Sequence, residues 1–103
     1  MTVYTGLPYS AWVELEFEWD IEKEEKNFLK HRISFADAAQ IFNDIDRVAI
    51  DSYKNDEKRI KVVGKIGKII CVVVYTYRNN NIRLISARRA SKNEREKREN
   101  KKS

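Results

Sequence analysis

The stretch Ile69-Ile70-Cys71-Val72-Val73-Val74-Tyr75-Thr76-Tyr77 constrains the architecture more than any other. It is apolar almost throughout and rich in β-branched side chains. Gly67-Lys68 precedes it and Arg78-Asn79-Asn80-Asn81 follows, both with turn chemistry. A short apolar run between turns reads as a central strand covered on both faces. Its neighbours read as strands too. Arg59–Ile66 alternates, with Ile60 and Val62 facing one way and Arg59 and Lys61 the other. Ile82–Arg88 returns after the asparagine turn, and a turn of two to four residues leaves its register open. Arg47–Ser52 reads as a short strand and Tyr53–Lys58 as a polar loop.

Upstream, Val13, Leu15, Phe17 and Trp19 alternate with Glu14, Glu16 and Glu18, a strand with one apolar and one acidic face. Asp20 then reads as the N-cap of a helix reaching about His31, with a thin apolar stripe of Ile21, Phe28 and Leu29. Ser34 and Asp37 make a capping-box pattern before Phe35, Ala38, Ala39 and Phe42, which recur at helical spacing. Ser91 and Glu94 make another, but 95–102 holds no apolar residue, so this helix is expected to fray. The expected fold is α+β: two N-terminal helices packed on a small antiparallel sheet, with a basic C-terminal helix. Residues 1–13, with Gly6 and Pro8, are expected to be an irregular tail. Residues 14–103 form one domain, of which 91–103 is the polar helix.

Charge divides the chain. Residues 1–57 hold 13 Asp/Glu against 6 Lys/Arg, and residues 58–103 hold 15 Lys/Arg against 3 Asp/Glu. A basic half of this density attracts a polyanion, and nucleic acid is the usual one. The single cysteine, Cys71, forbids an internal disulfide and suits a reducing cytoplasm. No apolar run is long enough to span a bilayer, and the first residues lack a signal-peptide pattern. One His and one Cys do not make a zinc site, and three glycines are too few for a phosphate-cradling loop, so no cofactor is expected.

The residues that remain suit RNA. Lys30, His31 and Arg32 lie together, Arg59 and Lys61 share a strand face, and Arg83, Arg88 and Arg89 lie on or just past the last strand. Tyr75 and Tyr77 share a face of the central strand. Cleavage through the ribose 2′-OH needs a base, cationic stabilisation of the phosphorane and an acid, without a metal. His31 is the expected acid or base, although it would also serve as a cation at a helix C-terminus. Arg59 and Arg83 are expected at the transition state, with Tyr75 as a further candidate. Lys30, Lys61, Arg88 and Arg89 are expected to bind phosphate. Adjacent like charges beside a helix N-terminus, as at Arg88-Arg89, favour an anion site.

Several segments taken in order resemble the BrnT toxin family: Phe17-Glu18-Trp19-Asp20; Asn27, Lys30, His31, Ser34 and Phe35; Ala39, Phe42 and Asp44; Arg59 leading to Gly64; Val73 to Thr76; and Ile82 to Ala90 followed by Glu94. The resemblance implies a RelE-like fold and a ribonuclease that stops translation. It also implies a BrnA-like ribbon-helix-helix antitoxin, through whose complex alone DNA would be bound. Two positions depart. The family often has Gly where this chain has Arg32, and Tyr where it has Arg98, which predicts a looser tail. Other readings are a basic module that binds RNA or ribosomes without cleaving, and a scaffold for its antitoxin that has lost toxicity.

Overall fold

The computed structural model describes residues 2–4 and 14–102. The elements are β1 (Thr2–Tyr4), β2 (Glu14–Trp19), α1 (Ile21–His31), α2 (Phe35–Ala38), β3 (Val48–Lys54), β4 (Glu57–Ile66), β5 (Ile69–Arg78), β6 (Asn81–Arg89) and α3 (Lys92–Lys102). A 3-10 helix over Ala39–Asn43 extends α2. The sheet order is β1-β2-β6-β5-β4-β3.

β3 to β6 form an antiparallel meander with tight turns. Asn55-Asp56 and Asn79-Asn80 each put two consecutive residues at positive φ, the geometry that matches strand twist in a two-residue hairpin. The stretch expected as a polar loop at 53–58 is therefore mostly strand. The asparagine turn has two residues, with Arg78 opposite Asn81. Gly67, at φ +62, closes the third hairpin.

Two expectations about the sheet are corrected. It is mixed rather than antiparallel, because β2 runs parallel to β6, with Phe17 opposite Ile82 and Trp19 opposite Leu84. The stretch 1–13 is not wholly irregular, because Thr2–Tyr4 pairs with β2. Val13, Gly6 and Pro8 lie outside the described residues.

A bulge decides which side chains of β6 face inward. Leu84 lies opposite Tyr75 and Ser86 opposite Val74, so Ile85 is the extra residue. Without it, Leu84 and Ala87 would point to opposite faces. With it, both enter the main core alongside Phe17, Val62, Val73, Tyr75 and Ile82. Phe35, Ala38, Ile41 and Phe42, from α2 and its extension, cover this face. Fully burying a side chain such as Phe35 contributes roughly 1.5–3 kcal/mol.

The caps form as the sequence indicates. Asp20 accepts from the Lys23 amide and Ser34 from the Asp37 amide. However, α2 proper is one turn, so among the described residues α1 is the only long helix before the meander. None of the residues of α1 is buried. It lies along β6 where β2 ends, and Asn27 acts there as a substitute strand partner. Its Nδ2 donates to the Ala87 carbonyl at 2.9 Å and its Oδ1 accepts from the Ala87 amide at 3.2 Å.

The tail is not loose. α3 lies on the other face of the sheet, where Ala90 packs with Val63 and Val72, and ion pairs do the rest. Arg98 is buried and donates from Nε and Nη2 to the Asp44 carboxylate at 2.8 and 3.0 Å. Asp44 also accepts from the Lys65 and Asp46 amides. Burial alone would raise the Asp44 carboxyl; Arg98 and those amides outweigh it and hold it below its ordinary value. A helix without an apolar stripe is thus docked by charge.

Candidate active site

The face of the sheet opposite α2 is half covered by α3. The uncovered half, toward the two asparagine turns, holds a cleft of about 440 Å³. It is lined by Arg59 and Glu57 of β4, Thr76, Tyr77 and Arg78 of β5, Arg83 and Ile85 of β6, and Lys23 of α1. Strand alternation places Glu57, Arg59, Thr76, Arg78 and Arg83 there. Ile60 and Tyr75, opposite each other, point to the helix side, so Arg59 and Thr76 point to the cleft. Thr76 lies opposite Arg83, and Arg83 lies beside Glu18 in the parallel pair. The Thr76 hydroxyl donates to the Lys58 carbonyl, which fixes its rotamer.

These cations are weakly neutralised. Arg59 Nε is 3.6 Å from Glu57 Oε1 and Arg83 Nη1 is 3.9 Å from Glu18 Oε2, both longer than a charge-assisted hydrogen bond. Arg59 Nε and Glu18 Oε1 are buried atoms with no hydrogen-bond partner. Leaving such atoms unsatisfied costs about 1–3 kcal/mol each. An arginine held short of its donors' needs suits a site that takes up an anion.

The other expected residues are distributed elsewhere. His31, half-buried, sits one turn beyond Asn27 on α1 and is not among the residues lining the cleft. Lys30 is exposed on the same helix. Tyr75 is buried on the helix side, edge-on to Phe42 and Tyr77. Burial, with Tyr77 beside it, pushes its phenol far above the ordinary value. Arg88 and Arg89 do not form one patch, since successive strand residues point to opposite faces. Arg89, exposed, lies opposite Cys71. Burial raises the Cys71 thiol, and Arg89 opposes that in part.

Arg88 and Lys61 meet a carboxylate of the chain itself. Arg88 grips Glu94 with two bonds of 2.8 Å, and Lys61 Nζ lies 2.7 Å from Glu94 Oε2. The Ser91 amide donates to the same carboxylate, and the Ser91 hydroxyl accepts from the Glu94 amide, which closes the capping box. The Arg88 guanidinium above all, helped by Lys61 and Ser91, drives the Glu94 carboxyl well below the usual range. Of the expected cations, the cleft gathers Arg59 and Arg83.

Sequence reasoning missed Lys23, Glu57 and Arg78. Lys23 was hidden because helical and strand residues meet at the cleft only through the β2–β6 pairing. Glu57 was hidden because 53–58 reads as a polar loop, and Arg78 because it flanks a turn whose length was open. Among the described residues, no helix is long and apolar enough to cross a membrane, and no group of three or more His, Cys, Asp or Glu is placed to hold a metal.

No curated protein matches the chain closely enough to count. The family model described as the ribonuclease toxin BrnT of type II toxin–antitoxin systems matches residues 19–94. That match runs from the end of β2, through the cleft strands, to the carboxylate that clamps α3. The chain therefore belongs to the BrnT family of ribonuclease toxins, whose type II systems pair each toxin with an antitoxin.

Proposed function

We propose that this chain is an endoribonuclease whose scissile phosphate sits in the Arg59–Arg83 cleft, and that it cuts RNA without a metal and so inhibits translation. The supporting observation is the pairing of two under-neutralised arginines across Thr76 on one open sheet face. Their guanidinium groups suit the charge that develops on the phosphorane.

His31 does not line the cleft, so the proton acceptor is assigned to Glu57, the one carboxylate among its described lining residues. Glu57 takes the proton from the ribose 2′-OH, and O2′ bonds to phosphorus. The P–O5′ bond breaks, and the Lys23 ammonium protonates O5′. The products are a 2′,3′-cyclic phosphate and a 5′-hydroxyl, and the two proton carriers re-equilibrate with water. His31 has no part in this scheme. A ribbon-helix-helix antitoxin silences the enzyme in the cytoplasm, and DNA is contacted only through that complex.

The test is incubation with RNA in EDTA, resolved on a gel with end-group analysis. Cyclic-phosphate ends are expected, with Arg83→Ala and Arg59→Ala each slower by about 10²–10³-fold and His31→Ala unchanged. A mobility shift without cleavage would overturn the enzymatic reading and leave a binding module.

A further inference from the structure

Among the described residues, one surface is used by neither the fold nor the cleft. The outward stripe of α1 exposes Ile21 at 68%, Leu29 at 70% and Phe28 at 42%. At 100° per residue, Glu25 falls inside this stripe and Glu22 on its border, while Lys23, Lys26 and Lys30 fall on the far flank. Beside the stripe, a mostly apolar groove of about 400 Å³ runs between α1 and Ser34, lined by Glu24, Glu25, Phe28 and Leu29. The groove is rigid on one side, since the Phe35 amide donates to Glu24 at 2.9 Å. Eleven residues with no buried side chain make a helix that is marginal in water unless something covers it.

We infer that this stripe is where the antitoxin docks, through a segment with apolar anchors flanked by lysine or arginine. Three features point to that occupant. The patch is apolar, and its acidic members Glu22, Glu24 and Glu25 outnumber the cation on it, Arg32 over the Phe28 ring, so in a chain of net charge +5 it favours a basic segment over RNA. None of its residues lines the cleft, so a partner there does not compete for the substrate's phosphate. Finally, a type II system supplies a protein partner. The inference rests on the family's antitoxin and not on the chemistry assigned to the cleft.

The test pairs the full chain with the product of the adjoining antitoxin gene and measures affinity by biolayer interferometry. Leu29→Glu and, separately, Glu25→Lys are expected to weaken binding at least tenfold. Both are expected to keep the wild-type far-UV spectrum and the wild-type rate of RNA cleavage. Since Leu29 is largely exposed, its variant should fold; Glu25→Lys keeps the test alive if it does not. Unchanged antitoxin affinity in either folded variant overturns the inference. So does a toxin that is dimeric alone and becomes monomeric in Leu29→Glu with antitoxin binding intact, since the stripe would then belong to a second copy.

Discussion

Arg98→Ala should be the most destabilising single change in the C-terminal helix. The Arg98 and Asp44 side chains are only 6% and 8% exposed. Truncating the arginine strands a carboxylate that has lost its two guanidinium donors. Removing one partner of a buried pair costs about 3–5 kcal/mol. The lower end applies here, because Asp44 keeps the Lys65 and Asp46 amides. At about 4 °C or more per kcal/mol in a domain of this size, a loss near 3 kcal/mol lowers the melting point by about 12 °C or more. Urea denaturation followed by circular dichroism, with the m-value checked for constancy, measures it. Asp44→Asn combined with Arg98→Ala should cost about 2 kcal/mol less than the two single variants added together. A loss below about 1 kcal/mol for Arg98→Ala, or strict additivity in the cycle, would refute the view that charge docks α3.

Three further outcomes are expected. Arg32 caps α1 at φ 60, the left-handed region, with its guanidinium 5.8 Å from the Phe28 ring. Relief of backbone strain at about 1 kcal/mol exceeds that exposed contact at about 0.5, so Arg32→Gly should raise stability by about 0.5 kcal/mol in urea titration. A Cβ on Gly64 would meet Ile41 Cγ1 at 2.7 Å, so Gly64→Ala should cost about 2 kcal/mol, and Ile41→Ala in the same chain should cost less than it does alone. The carboxyls of Asp44 and Glu94 are held below their ordinary values, so their contribution is complete above those values and is lost as pH falls through the depressed ones. Urea stability should therefore drop below about pH 4, and less steeply in Glu94→Gln; identical slopes would count against the clamp.

What the sequence revealed was mostly local. Ser34 and Ser91 announced their helices because a cap is a contact over three residues, and Ile60 and Val62 against Arg59 and Lys61 showed which side of β4 is wet. The parallel β2–β6 pairing joins segments far apart in the chain, and no periodicity encodes it. That hid the presence of Lys23 and Arg83 in one cleft and the separation of that cleft from His31. α3 was misjudged for a different reason. Apolar patterning sees only apolar contacts, whereas Glu94 and Arg98 dock that helix through charge, and Glu94 in doing so takes up Arg88 and Lys61, which read as phosphate ligands.

The parallel pairing also sets an order of events during synthesis. Phe17 finds its strand partner only when Ile82 is free, 65 residues later in the chain. The hairpins of the meander close locally and fast, but β2 has only β1 to pair with, and α1 lacks the Ala87 backbone it docks on, until β6 has been made. A nascent chain therefore carries Lys23 and Glu57 with nothing opposite them. The cleft that gathers Arg59 and Arg83 therefore forms only after β6 has left the ribosome.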